Sequence, residues 1–162
     1  MTETMTDIRA ARFPQEADTV RRLFRAYADS LGVSLDFQDF EAELAGLPGD
    51  YAPPAGRLLL AWQGEEAVGC AALRSLEGDL CEMKRLYVTP QGRATGLGRA
   101  LAIRICDEAR EAGYRAIRLD TLPGMVAAQK LYRTLGFRPI PAYTFNPVPG
   151  AIFMERELTD SG

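Results

Sequence analysis

Glu82-Met83-Lys84-Arg85-Leu86-Tyr87-Val88-Thr89-Pro90-Gln91-Gly92-Arg93-Ala94-Thr95-Gly96-Leu97-Gly98-Arg99-Ala100-Leu101 is the stretch on which the reading of the whole chain turns. Leu80 to Val88 is short, holds aromatic and β-branched residues, and stops at Thr89-Pro90, where the missing proline N–H ends a ladder; it reads as a strand. Alternation puts Glu82, Lys84, Leu86 and Val88 on one of its faces and Met83, Arg85 and Tyr87 on the other. The period then changes. Leu97, Leu101 and Ile105 recur every four residues with Ala102, Cys106 and Ala109 beside them, which predicts a helix closing at Gly113. Between the two, Gly92 and Gly96 let the backbone turn tightly and leave N–H groups uncovered at the helix's positive end, where phosphate oxygens bind favourably. The charged residues from Met83 to Cys106 are all basic (Lys84, Arg85, Arg93, Arg99, Arg104), in a chain of formal net charge -3. An ordinary turn with solvated arginines would also contain glycines. The order Arg93-x-x-Gly96-x-Gly98, the charge bias and the sequence downstream point instead to a ligand.

Length and composition bound the rest. The chain of 162 residues is one domain with room for a real core. A pI of about 5.1 argues against general nucleic-acid binding, which needs a broad basic face. No apolar run reaches membrane-spanning length, and Met1 to Arg12 lacks the apolar centre of a signal peptide, so a cytoplasmic protein without membrane partners is expected. Cys70, Cys81 and Cys106 are odd in number and set in apolar surroundings. If 67–75 and 80–88 form a hairpin about Gly78, Cys81 lies opposite Arg74, roughly 13 Å along the strand from Cys70 and too far for a disulfide. Buried free thiols are expected. With no histidine in the chain, Ser-His and Cys-His machinery is absent and no metal site is expected.

In chain order, Ile8 to Phe13 is a strand candidate. Pro14 then opens a helix with the stripe Val20, Leu23, Phe24, Tyr27 and Leu31, ending at Gly32. Phe37, Phe40, Leu44 and Leu47 repeat that spacing up to Pro48-Gly49, and Asp50 to Gly56 reads as an exposed loop. Arg57 to Trp62, Ala67 to Arg74 and Leu80 to Val88 are joined too closely to be anything but antiparallel neighbours. Ala116 to Thr121 follows the helix and should run parallel to 80–88. Met125 to Leu135 is a helix ended by Gly136, Phe137 to Ile140 a brief strand, and Ala151 to Leu158 a strand that closes the sheet. The expected fold is α/β: a single-domain, mixed, mostly antiparallel sheet with a central βαβ crossover and helices on both faces.

Arg93-x-x-Gly96-x-Gly98 after a strand, followed by Ala128-x-x-Leu131-Tyr132-x-x-Leu135-Gly136-Phe137, resembles the GNAT superfamily of acyl-CoA-dependent N-acetyltransferases, and the element order agrees over nearly the whole chain. The resemblance implies transfer of an acetyl group from acetyl-CoA, without a metal, to a primary amine of a small molecule or peptide, by direct attack in a ternary complex. It places the pyrophosphate on the amides of Arg93, Ala94, Thr95, Gly96, Leu97, Gly98 and Arg99. The pantetheine arm would pair like an extra strand with Leu86, Tyr87 and Val88. The thioester would lie where strands 80–88 and 116–121 splay apart, and the acceptor would approach from the side of the first two helices and the 141–150 segment.

An amine attacking a thioester must lose a proton, and the departing thiolate must gain one. Tyr132 is the candidate donor: from a phenol near pKa 10 to a thiolate near 8.5 the transfer is uphill by roughly 2 kcal/mol, small beside the whole barrier. Its bland reading is a core aromatic. Glu82 matches the strand position where some family members carry the glutamate that takes the amine's proton; an ion-paired carboxylate beside Lys84 and Arg85, with water alone as base, is the alternative. The asparagine often found seven residues before the tyrosine is here Met125. Lys84 and Arg85 suit an acceptor bearing a carboxylate or phosphate.

Two other readings compete. A dinucleotide-binding oxidoreductase would use Gly96-Leu97-Gly98 and Asp120, but Leu101 stands where a third small residue belongs and antiparallel strands precede the loop. A non-catalytic CoA-binding sensor or interaction module would need no Tyr132. The acceptor is not written in any motif of the loops, and an exposed strand or helix face leaves a homodimer open.

Overall fold

The computed structural model describes residues 6–32, 39–93 and 95–158. The alternating segments form strands β1 (Thr6–Ala10), β2 (Arg57–Gln63), β3 (Glu66–Ser75), β4 (Leu80–Val88), β5 (Ala116–Thr121), β6 (Arg138–Ile140) and β7 (Ile152–Glu157). The segments of helical period form α1 (Ala17–Leu31), α2 (Phe40–Ala45), α3 (Leu97–Glu111) and α4 (Val126–Thr134). The strands make one seven-stranded sheet in the order β1-β2-β3-β4-β5-β7-β6. β4 and β5 run parallel across α3, and the other neighbours are antiparallel. This is the expected mixed α/β sheet. The last strand, β7, inserts between β5 and β6 and leaves β6 at the edge. No helix among the described residues is long and apolar enough to cross a membrane.

Each sheet face has its own core, because alternate strand residues point to opposite sides. On one, Leu59, Ala71, Leu73 and Met83 meet Leu101 and Ile105 of α3 and Tyr132 of α4. On the other, Leu58, Leu60 and Ala72 meet Val20, Leu23 and Phe24 of α1 and Phe40 and Leu44 of α2. Burying one such Leu or Phe contributes about 1.5–3 kcal/mol. A Cβ on Gly69 would come within 3.0 Å of Leu101 Cδ1, so the bare backbone there sets how closely α3 lies on β3.

Local details depart from the sequence reading. The α1 helix starts at Ala17, after Pro14 and not on it. Phe37 lies outside the described residues. The 50–56 loop is not simply exposed: a tight helical turn over Gly49–Tyr51 buries Tyr51, whose ring meets Phe24 edge-on at 6.1 Å. Cys81 faces Ser75, not Arg74, and Cys70 faces Tyr87. The three thiols are nevertheless free and buried, and burial pushes the Cys70 thiol up to about 12.

The main departure is a bulge in β4. The register passes from Cys70 opposite Tyr87 to Ala72 opposite Lys84, so Arg85 and Leu86 share the space facing Ala71. Arg85 takes φ 61°, in the left-handed region that non-glycine residues seldom adopt. The extra residue resets the alternation. Glu82, Lys84, Arg85 and Tyr87 face α1 and α2, while Met83, Leu86 and Val88 face α3 and α4. Arg85 is sealed there, its side chain 1% exposed, and it binds Glu43 of α2 through two hydrogen bonds of 2.9 and 2.8 Å. Its guanidinium also lies over the rings of Tyr27 and Phe40. Burial works against the charge, but the bonds to Glu43 outweigh it and hold the guanidinium protonated.

Removing Arg85 would leave Glu43 half-sealed without its partner. Arg85→Ala should cost about 2 kcal/mol or more, somewhat below the figure for a fully buried pair, read as a lower denaturant midpoint. Adding Glu43→Gln should recover part of that loss; no recovery would mean that the ring contacts, not the charge pair, hold the bulge.

Candidate active site

The turn after β4 is built to present main-chain donors. Thr89-Pro90 leads into a tight turn at Pro90–Gly92, where a Cβ on Gly92 would sit 2.9 Å from Val88 Cγ1. Thr95 Oγ1 donates to the Gly92 carbonyl at 2.6 Å, and Arg93 Nε donates to the Val88 carbonyl at 3.1 Å. Gly96 then takes φ 77° and opens α3 with no side-chain cap and no acidic residue in the first turn. Ala100 N–H bonds the Gly96 carbonyl at 3.0 Å. Among the described residues no protein acceptor caps the amides of Gly96, Leu97, Gly98 and Arg99. Four orphan donors at a helix's positive end fit a pyrophosphate. Ala94 lies outside the described residues, the Leu97 side chain is in the core, and the Arg99 guanidinium reaches Thr134 Oγ1 at 2.9 Å.

From this turn a groove runs along β4. Val88, Leu86 and Arg93 form one wall, with Gly98, and Ala128 and Leu131 of α4 the other. β4 pairs with β5 only at Leu80, Cys81 and Glu82, facing Ala116, Ile117 and Arg118. Past Glu82 the two strands part, and the edge of β4 that faces β5 has no further ladder partner among the described residues. An extended chain carrying amide groups could pair there. The groove continues, past Tyr27 and Met125, into a cavity that holds Tyr132, Leu119 and Asp120. Tyr132 is 6% exposed, its ring rests on Phe137 at 5.7 Å, and its hydroxyl makes no hydrogen bond among the described residues. Burial raises its pKa above the ordinary phenol value, and Tyr27 and Asp120 nearby add to the rise. Met125 Sδ accepts from Thr121 Oγ1 at 3.7 Å.

Glu82 lies on the other side of the sheet from Tyr132, in an adjoining charged cavity with Arg74, Lys84, Glu43 and Asp120. It is 1% exposed and engaged at both oxygens: Oε1 accepts from Arg74 Nε at 2.9 Å, and Oε2 from the Tyr143 hydroxyl at 2.5 Å. Glu82 is thus ion-paired, with Arg74 and at 3.8 Å with Lys84, whereas Arg85 is taken by Glu43. Asp120 borders both cavities, and its Oδ2 accepts from Asn146 Nδ2 at 3.0 Å. Tyr143 and Asn146 thereby fasten the 141–150 segment over the gap between β4 and β5. Burial, and then Glu82, raise the Tyr143 phenol well above its ordinary range.

Sequence reasoning missed Arg74, Asp120, Tyr143 and Asn146 as parts of the site. For Asp120 a signal existed: along β5, Arg118 and Asp120 alternate with the buried Ile117, Leu119 and Thr121, which places them on the acceptor side.

Residues 17–137 match the Acetyltransferase (GNAT) family. The chain belongs to that family. An uncharacterized N-acetyltransferase of Schizosaccharomyces pombe is 36% identical over 154 residues, covering 94% of each chain. The N-acetylaspartate synthetase of Homo sapiens is 31% identical over 131 residues, which is 80% of this chain and 41% of that enzyme. Among solved structures, a GNAT acetyltransferase of Staphylococcus aureus superposes with a TM-score of 0.81 at 20% identity, covering 96% of this chain and all of the other (100%). N-acetylglutamate synthase of Neisseria gonorrhoeae, in complex with coenzyme A and N-acetyl-glutamate, gives 0.69 at 19% identity over 98% of this chain and 36% of its own. The GNAT chain is thus an N-acyltransferase, and its mostly antiparallel sheet is not the parallel one that a dinucleotide-binding unit needs.

Tyr143→Phe would remove a hydrogen bond to a buried carboxylate, a loss of about 1.5–3 kcal/mol. Amide hydrogen exchange across 143–148 should quicken by at least about tenfold, and unchanged protection there would show that other contacts hold the segment.

Proposed function

We propose that the protein transfers the acetyl group of acetyl-CoA to a primary amine of a small molecule or peptide, both substrates being bound together. The observation that carries this is the continuity of one groove, with uncapped amides at its α3 end and the buried Tyr132 phenol at the other. Coenzyme A accompanies the same fold in N-acetylglutamate synthase, and the N-acetylaspartate synthetases are named for an N-acetylated small molecule.

In outline, the amine nitrogen bonds to the acetyl carbon as the carbon–sulfur bond breaks, so an ammonium and acetyl-CoA give an amide, free CoA thiol and one proton. The uncapped amides of Gly96, Leu97, Gly98 and Arg99 hold the diphosphate, the Arg93 amide being already engaged by the Pro90 carbonyl, and Leu86 to Val88 offer their unpaired edge to the pantetheine amides. Tyr132, closed off from water, gives its proton to the leaving sulfur. Glu82 has both oxygens engaged within the protein, so it serves best by holding Arg74, Lys84 and Tyr143 in place. Asp120 faces both cavities, and the amine's proton leaves through it or through a water beside it.

Tyr132→Phe should lower kcat by about a hundredfold or more with acetyl-CoA affinity within about twofold. Gly96→Val forces a β-branched residue to φ 77° and should weaken acetyl-CoA binding by about tenfold, through strain of about 1–2 kcal/mol. Calorimetric binding and a thiol-release assay separate the two, and equal loss of affinity in both variants would overturn the assigned roles. A silent panel of polyamines, aminoglycosides, amino acids and peptides, with CoA still bound, would favour the sensor.

A further inference from the structure

The acceptor cavity contains a cation, Lys84, whose ion-pair partner is shared with a second cation. The Lys84 side chain is 8% exposed, and its nearest partner among the described residues is Glu82 Oε1 at 3.8 Å, beyond hydrogen-bond reach. That oxygen already accepts from Arg74, and its twin from Tyr143. The neighbouring cations are differently placed: Arg85 is matched to Glu43 and Arg118 to Glu155, both at 2.8 Å. A buried ammonium held only at this distance is costly, and a bound anion would remove the cost. The Lys84 and Arg74 side chains line the same cavity as Asp120. Asp120 offers the complementary group: Oδ2 is taken by Asn146, while Oδ1 makes no hydrogen bond among the described residues. The cavity thus sets Lys84 and Arg74, which share Glu82, beside a half-engaged Asp120, and Asp120 also lines the cavity that holds Tyr132.

We propose that the acceptor is a free amino acid or a similarly small amino carboxylate, its carboxylate held by Lys84 with Arg74 and its amine lying at Asp120. This rests on the acyl-transfer reading above and narrows it. A polyamine or aminoglycoside brings no anion for Lys84 and would set further positive charge against Arg74 and Lys84. The 141–150 segment borders the cavity through Thr144 and Phe145, so a small acceptor fits the proposal better than a folded polypeptide. The bond made is nitrogen to acetyl carbon and the bond broken is carbon to sulfur; the acceptor's carboxylate is unchanged throughout.

The test is thiol release from acetyl-CoA with L-aspartate, L-glutamate, L-alanine and L-phenylalanine, each beside its α-amide, and with spermidine. At least one acid should be acetylated with a kcat/KM about tenfold or more above its amide, and spermidine should be poor. In Lys84→Met, KM for that acid should rise about tenfold with acetyl-CoA affinity within about twofold, and the acid-to-amide ratio should fall toward one. Lys84→Arg should keep part of the preference. The ratio is taken within one preparation and does not depend on how much of a variant folds. Amides or spermidine acetylated as well as the acids, or a ratio untouched in Lys84→Met, would overturn the proposal and leave acyl transfer standing. No thiol release with any amine, while acetyl-CoA binds, would overturn both.

Discussion

The parting of β4 from β5 after three paired positions is the constraint on which the rest depends. Parallel strands joined by a crossover helix ordinarily stay paired along their length, because each unmade ladder bond leaves main-chain groups to be satisfied elsewhere. Here the ladder stops at Glu82, and β4 turns away at the Arg85 bulge. The cost is the row of unpaired groups on the free edge, and that row is what an extended ligand chain could complete. The same gap joins the two faces of the sheet. An apolar groove on the α3 and α4 side thereby meets a charged cavity on the α1 and α2 side, so two substrates of unlike character can meet edge to edge.

The bulge needs support, since a non-glycine residue at positive φ costs about 1–3 kcal/mol. The support comes from far away in sequence. Glu43 grips the guanidinium with two bonds, while Tyr27 and Phe40 supply ring faces. These residues belong to α1 and α2, which otherwise only cover the sheet. One side chain thus couples the covering helices to the strand geometry that opens the site. An exposed pair would add little; this one counts because the guanidinium is sealed.

That dependence also explains what could be read in the sequence. Element order and the phosphate-type turn were legible, since both are written locally, in the four-residue recurrence from Leu97 and in glycines where the chain must take positive φ. The bulge was not: Lys84-Arg85-Leu86 holds no glycine, and plain alternation put Leu86 and Val88 on the wrong side relative to Glu82. Its cause is a pairing across 42 residues. Glu82 was singled out by position as a base, but its partner Tyr143, which engages one of its oxygens, lies 61 residues on, in a segment of prolines and turns with no periodicity to say which face it covers. Asp120 was weighed only as a ribose-binding acid and set aside on the antiparallel strands before the loop, because its place between the two cavities is a tertiary fact.

Residue type alone does not single out Tyr132 as the proposed proton donor. Tyr132 and Tyr143 are both tyrosines at the edge of the same gap, and burial raises the pKa of each. What separates them is the partner. Tyr143 has committed its proton to Glu82 at 2.5 Å and serves as a fastener; giving the proton up would set two negative charges side by side. Tyr132 has no partner among the described residues and faces the groove, so its proton is free to move. A raised phenol pKa makes the transfer to a thiolate look less favourable than it is in water. A dry pocket disfavours a thiolate as well, however, and shifts the thiol in the same direction. Burial thus raises both acids of the proposed transfer, and Tyr132 stays protonated through the neutral range.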